Sequence, residues 1–200
     1  MKKVSFVIPC YRSANTIGVV VDEIRDTMPT LPEYDYEIIL VNDCSPDNTL
    51  EVISALALSD RRITAVDLAK NFGQHAALMS GISHSTGDFV VCLDDDGQTP
   101  ANEVGKLLAR LEQDDCDVAM ASYEHKQHSA FRNFGTKLNN RMTEIMLGKP
   151  RDLSMTSYFA IKRFVVDEML KYKNCFPYLD GLILRCTRRI RTCLLYTSDA

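Results

Sequence analysis

"ITAVDLAKNFGQHAALMSGISHSTGDFVVCLDDDGQ" (residues 63–98) reads as one complete β-α-β unit. Residues 63–68 are apolar and β-branched, residues 73–85 carry apolar positions at helical spacing, and residues 88–93 form a second apolar run. Two strands joined through a helix lie parallel in one sheet. The polar clusters fall where each strand ends, as "AKNFGQ" after the first and "DDDGQ" after the second. Open parallel sheets bind ligands beyond the carboxyl ends of their strands, so both clusters are candidate site segments.

The pattern extends in both directions. Upstream lie a strand at 4–9, a helix at 14–28 with Ile17, Val20, Val21, Ile24 and Met28 on one face, a strand at 36–42 and a helix at 47–58. Downstream come a helix at 100–113 and a strand at 117–122. The expectation is an α/β fold, a Rossmann-like mostly parallel sheet with helices on both faces. "PCYRS" and "NDCSPDN" close the first two strands, and four polar strand ends are expected to converge on one site. Beyond residue 122 the reading is a helix over 131–148, a strand and then a helix from about Arg163, and a short helix with a basic strand over 176–192.

With 200 residues and 46% hydrophobic composition, the chain can bury a sizeable core. Its apolar runs are a handful of residues long, against about 20 for a membrane-spanning helix. The start, "MKKVSFVIPCYRS", breaks into Pro and polar residues where a signal peptide would stay apolar, and reads as a first strand. Seven cysteines with no C-x-x-C pair argue against a disulfide framework or zinc site and suit a reducing cytoplasm. The net charge of −4 hides a contrast. Residues 1–122 hold 9 Lys/Arg against 20 Asp/Glu, whereas residues 123–192 hold 14 against 6. Two faces with different partners are expected.

Asp94, Asp95 and Asp96 are the sharpest feature. In an extended strand end, residues i and i+2 lie on one side about 6.5 Å apart, so Asp94 and Asp96 would face together and Asp95 away. Such a pair suits a divalent cation shared with a phosphate-bearing ligand. A capped turn, with Thr99 capping the helix that Pro100 begins, explains the same residues. No phosphate-binding loop, dinucleotide fingerprint or serine-hydrolase elbow is present. His125 and His128 read as a solvated loop, and His75 and His84 as ordinary packing.

"SFVIPCYRSANTI" (5–17), "IILVNDCSPDNT" (38–49) and "KNFGQHAALMSGISHSTGDFVVCLDDDGQTP" (70–100) together resemble the family 2 glycosyltransferases of GT-A fold. Within that family they look like bacterial polyprenyl-phosphate glycosyltransferases, over residues 3–192. The resemblance implies that Pro9 and Tyr11 line a nucleotide-base pocket and that Asp43 contacts base or ribose. It makes Asp94 and Asp96 the D-x-D pair, with Asp96 on Mg2+ or Mn2+, Asp94 near ribose or metal, and Gln98 a further metal ligand. Gln74 and Asp95 would be donor-side residues, Asp95 at the variable x position. Residues 1–122 would then be the nucleotide-sugar half and 123–192 the acceptor half of one domain.

The implied reaction is inverting sugar transfer, in cell-envelope glycan synthesis, from a nucleotide diphosphate, UDP before GDP, to a polyprenyl phosphate at the cytoplasmic face of the membrane. No nucleic acid partner is implied. A phosphate acceptor is already ionised near neutral pH and needs cations rather than a base. Arg132, Lys137, Arg141, Lys162, Arg163 and Arg185 are the candidates. Relatives carry an F-R pair where Phe159 here precedes Ala160, which leaves Lys162 or Arg163 as the expected substitute. Asp180 is the candidate base should the acceptor be a saccharide hydroxyl. "CLLYTSDA" (193–200) looks like translated adapter sequence, so a non-native tail on a C-terminally truncated chain, inactive on one reading, is expected. A nucleotidyltransferase would want a Gly-rich basic loop after the first strand. A phosphoacceptor domain would want an acidic pair where Pro9 and Cys10 stand.

Overall fold

The computed structural model describes residues 1–97, 99–123, 155–174 and 176–195. Strands and helices alternate as β1 (Lys2–Cys10), α1 (Ile17–Thr27), β2 (Tyr34–Asn42), α2 (Thr49–Ser59), β3 (Ile63–Asp67), α3 (Gln74–His84) and β4 (Phe89–Cys92). A 3-10 turn (Ala101–Glu103) then leads into α4 (Val104–Leu111) and β5 (Val118–Tyr123). The described chain resumes before β6 (Phe159–Lys162), α5 (Arg163–Met169), α6 (Leu179–Cys186) and β7 (Ile190–Leu195). The helix expected at 131–148, with Arg132, Lys137 and Arg141, lies outside the described residues, as do His125 and His128. Strand β7 continues through Cys193, Leu194 and Leu195. Leu195 is fully buried, three residues into the segment expected to be a tail.

The strands form one seven-stranded sheet in the order β3-β2-β1-β4-β6-β5-β7. All neighbours pair in parallel except β6, which runs antiparallel to both β4 and β5. Period-two alternation sorts the strand side chains onto two faces. Phe6, Ile8, Ile38, Leu40, Phe89 and Val91 meet α1, α2 and α4. Val7, Ile39, Val41, Val90 and Cys92 meet α3, α5 and α6. The expected α/β sheet with helices on both faces is therefore present. Gly81 lets α3 approach the sheet, because a Cβ there would lie 2.4 Å from Val7 Cγ1 and 2.9 Å from Val41 Cγ2.

The antiparallel run of β6 decides where its basic end goes. Lys162 pairs with Phe89 at the amino end of β4, away from the acidic loop that follows Cys92. Arg163 Nε donates to Gly87 O at 2.7 Å and Arg163 Nη2 to Ser85 Oγ at 3.2 Å, which ties down the α3–β4 turn. Neither residue can replace the expected phosphate-binding arginine, because both are at the wrong end of the sheet. The charge contrast is also partly cancelled there. Arg189 Nε meets Asp117 Oδ2 at 2.8 Å, Arg191 Nε meets Asp115 Oδ2 at 3.0 Å, and Lys162 Nζ lies 3.9 Å from Asp117 Oδ1. Some of the charge assigned to a separate face thus neutralises the α4–β5 loop instead.

Candidate functional site

At the carboxyl end of the sheet, each strand-end loop is hydrogen-bonded to the next. The loop after β1 reaches the loop after β2 through Arg12 N to Ser45 Oγ at 2.7 Å and Ser13 N to Thr49 Oγ1 at 2.9 Å. The loop after β2 reaches the loop after β3 through Asp43, whose two oxygens accept from Phe72 N at 2.7 Å and Gly73 N at 2.9 Å. Gln74 Nε2 then donates to Asp94 Oδ1 at 3.0 Å, which joins β3 to β4. The ring closes where Asp95 Oδ2 accepts from Tyr11 N at 3.2 Å and from Ser13 Oγ. Gly73 makes this possible with φ +86, a left-handed conformation that suits glycine, one residue before α3 begins.

The ring encloses a cavity of about 240 Å³ lined by Pro9, Tyr11, Asp43, Gln74, Asp94 and Asp95, with Cys10, Asn71, Gly73 and Ala77. Convergence of the four polar clusters is therefore a structural fact. The local geometry differs from the extended-strand argument. β4 ends at Cys92 and residues 95–97 bend, so the i to i+2 spacing does not apply. Asp95 does not point away; it lines the cavity and secures the β1 loop. Asp96 is exposed and does not line the cavity, and Gln98 lies outside the described residues. No side chain caps the 3-10 turn that begins after Pro100, so Thr99 is not the cap.

Burial raises the Asp94 carboxyl above its usual range; Asp96 and Asp95 push it further, while hydrogen bonds from Ser157 and Gln74 pull it down. Among the described residues, the four hydrogen bonds to Asp94 and Asp95 come from neutral donors. A carboxylate offers about four lone-pair sites. Asp94 thus keeps acceptor capacity for a hard cation after binding Gln74 and Ser157. Among the described residues no three His, Cys, Asp or Glu side chains form a ready ion cage. That fits Mg2+ or Mn2+, which are held by one or two carboxylates with substrate phosphates and water.

A second hollow of about 140 Å³ lies beyond Gln74, lined by His75, Thr156, Ser157 and Asp180 with Leu78, Met155, Phe159 and Leu179. Ser157 Oγ donates to Asp94 Oδ2, and Gln74, which donates to Asp94 Oδ1, lines both cavities. Asp180 is brought to this hollow, not to the first. His75 is exposed and meets the Tyr178 ring edge-on, with centroids 5.5 Å apart, rather than packing in the core. Sequence reasoning missed Ser157. It precedes β6, and only the antiparallel direction of β6 brings that end to the site. His84 lies exposed at the far end of α3.

Residues 5–170 match the model of a family described as Glycosyl transferase family 2. The chain belongs to this family. Among solved structures it is similar to a mannosyl-3-phosphoglycerate synthase from Rubrobacter xylanophilus, at 18% identity and a TM-score of 0.69, over 98% of this chain and 65% of that one. It is also similar to a mannosyltransferase from Pyrobaculum calidifontis solved with GDP-Man and Mn2+, at 18% identity and a TM-score of 0.67, over 97% of this chain and 56% of that one. A third is glucosyl-3-phosphoglycerate synthase from Mycobacterium tuberculosis with Mn2+, UDP-Glc and phosphoglyceric acid, at 18% identity and a TM-score of 0.64, over 98% and 70%. The chain spans less than two thirds of the first two. These likenesses show a shared fold, and no described helix is long and apolar enough to cross a membrane.

Proposed function

We propose that this family 2 protein transfers a sugar from a nucleotide diphosphate sugar to a polyprenyl phosphate, with a divalent cation and with inversion. The observation that carries the donor half is the closed ring of loops around Asp94. Pro9 and Tyr11 line the end suited to a base, and Asp94 stands where a diphosphate would arrive. Asp43 acts by pinning the Gln74 loop with both oxygens, in addition to lining the pocket. A bound Mg2+ or Mn2+, held by Asp94 with Asp96 as the second candidate and Gln98 beyond the described residues, supplies charge neutralisation for the leaving diphosphate. Two of the similar structures contain Mn2+ with a nucleotide sugar, which supports this reading.

The second hollow is the natural entry for the acceptor. Gln74 lines both this hollow and the nucleotide cavity, which would put an acceptor bound here beside the donor. A phosphate monoester needs no base, and resemblance of the strand-end motifs favours a lipid phosphate at the cytoplasmic face of a membrane. One observation favours a second reading. Asp180 lines this hollow, and a carboxylate is the group that a hydroxyl acceptor would need as general base. Transfer of labelled sugar to a short-chain polyprenyl phosphate, compared with a saccharide acceptor, tests the choice. Asp180→Asn should leave transfer to the phosphate within a few-fold; a loss of roughly 100-fold or more would move the assignment to a hydroxyl acceptor.

A further inference from the structure

We propose that the loop joining α5 to α6 is a docking surface for a bilayer carrying anionic phospholipid headgroups. Phe176 is 89% exposed at the tip of this loop, and Tyr178, two residues on, is 44% exposed. The tip is not loose, since Tyr172 Oη donates to Phe176 O at 3.0 Å. Its backbone is held while the ring stands in solvent. Behind it a hollow of about 550 Å³ is lined by Lys171, Lys173 and Arg185 against one acid, Glu168. Lys171 pairs with Glu168 at 2.5 Å, and neither Lys173 nor Arg185 is in an ion pair among the described residues.

An aromatic ring held out in water gains most where it can enter an apolar phase with bases beside it at the headgroup level. Cationic neighbours select anionic headgroups over a neutral apolar partner. Position adds a second argument. Tyr178 meets His75, and the next two residues, Leu179 and Asp180, line the second hollow. A tip seated in the headgroup layer brings that hollow to the membrane surface, where a lipid phosphate would be found. The surface deepens the lipid-acceptor reading and rests on it for its purpose, though not for its chemistry.

The test is sedimentation of the full chain with vesicles of phosphatidylcholine, alone or mixed with phosphatidylglycerol, without nucleotide sugar. Binding to the mixed vesicles that weakens with added salt is expected, with little binding to phosphatidylcholine alone. Lys173→Glu and Arg185→Glu should each lower partitioning at least roughly five-fold, and Phe176→Ser should lower it too, with unchanged melting temperature. Equal binding to both vesicles, or variants that partition like the wild type, would overturn the surface. Transfer to a short-chain, vesicle-free polyprenyl phosphate separates the two ideas. Vesicle binding without such transfer keeps the surface and removes the lipid acceptor; transfer without vesicle binding does the reverse.

Discussion

Two acidic clusters of similar make-up are treated in opposite ways. "DDCD" (114–117) before β5 and "DDD" (94–96) after β4 each hold three carboxylates. At the first, arginines arrive from neighbouring elements. Arg110 and Arg191 hydrogen-bond Asp115 and hold its carboxyl down to about 2. Asp117 is buried and accepts from Thr187 at 2.7 Å and Arg189 at 2.8 Å. At Asp94 and Asp95 in the second, the donors among the described residues are hydroxyl, amide and backbone groups, and the Asp94 carboxyl is raised by burial. Among the described residues, arginines reach Asp115 and Asp117, whereas Asp94 and Asp95 meet neutral donors. Charge that the fold does not neutralise is a better marker of a site than charge alone.

Mutating each cluster should separate binding from stability. The largest effect is expected for Asp94→Asn. It should weaken metal-dependent nucleotide binding roughly 100-fold or more, while melting temperature stays level or rises, because a desolvated charge without a cation is removed. Asp117→Asn should behave in the opposite sense. A loss of about 2 kcal/mol in denaturant unfolding is expected, with nucleotide binding intact. Equal stability losses at both positions would erase the distinction between the clusters.

Ser157→Ala should come next, with roughly ten-fold weaker metal-dependent binding and little change in melting, since it removes one donor that orients Asp94. The smallest effect concerns acid stability. Asp115 has a folded pKa below its unfolded value of about 3.9, so its contribution is fully present above that pH and fades as pH falls toward about 2. Arg191→Gln removes one of the two groups that depress it. Acid unfolding followed by circular dichroism should then begin at slightly higher pH, with neutral-pH stability little changed.

Much of this architecture is legible in the residues themselves. The apolar runs and helical spacings up to residue 122 place every element within four residues of its observed ends, because each is set by local periodicity. Convergence of "PCYRS", "NDCSPDN", "AKNFGQ" and "DDDGQ" follows once the strands are parallel. The direction of β6 does not follow. Phe159–Lys162 is apolar enough for either orientation, and its pairing partners are distant in sequence. That single uncertainty misplaced Lys162 and Arg163 and concealed Ser157. The roles of Asp43 and Asp95 as loop ties were hidden for another reason. Their partners are backbone amides, joined for Asp95 by the Ser13 hydroxyl of a distant loop, and no local side-chain pattern reveals them.

The carboxylates after β4 are proposed here as a metal-dependent donor site. Calorimetric titration of UDP and GDP into the full chain, with and without Mn2+ and beside Asp94→Asn, tests this most directly. Binding of one nucleotide that requires the metal and disappears in the variant is the expected result. Binding that is the same without metal, or that survives Asp94→Asn, would contradict it.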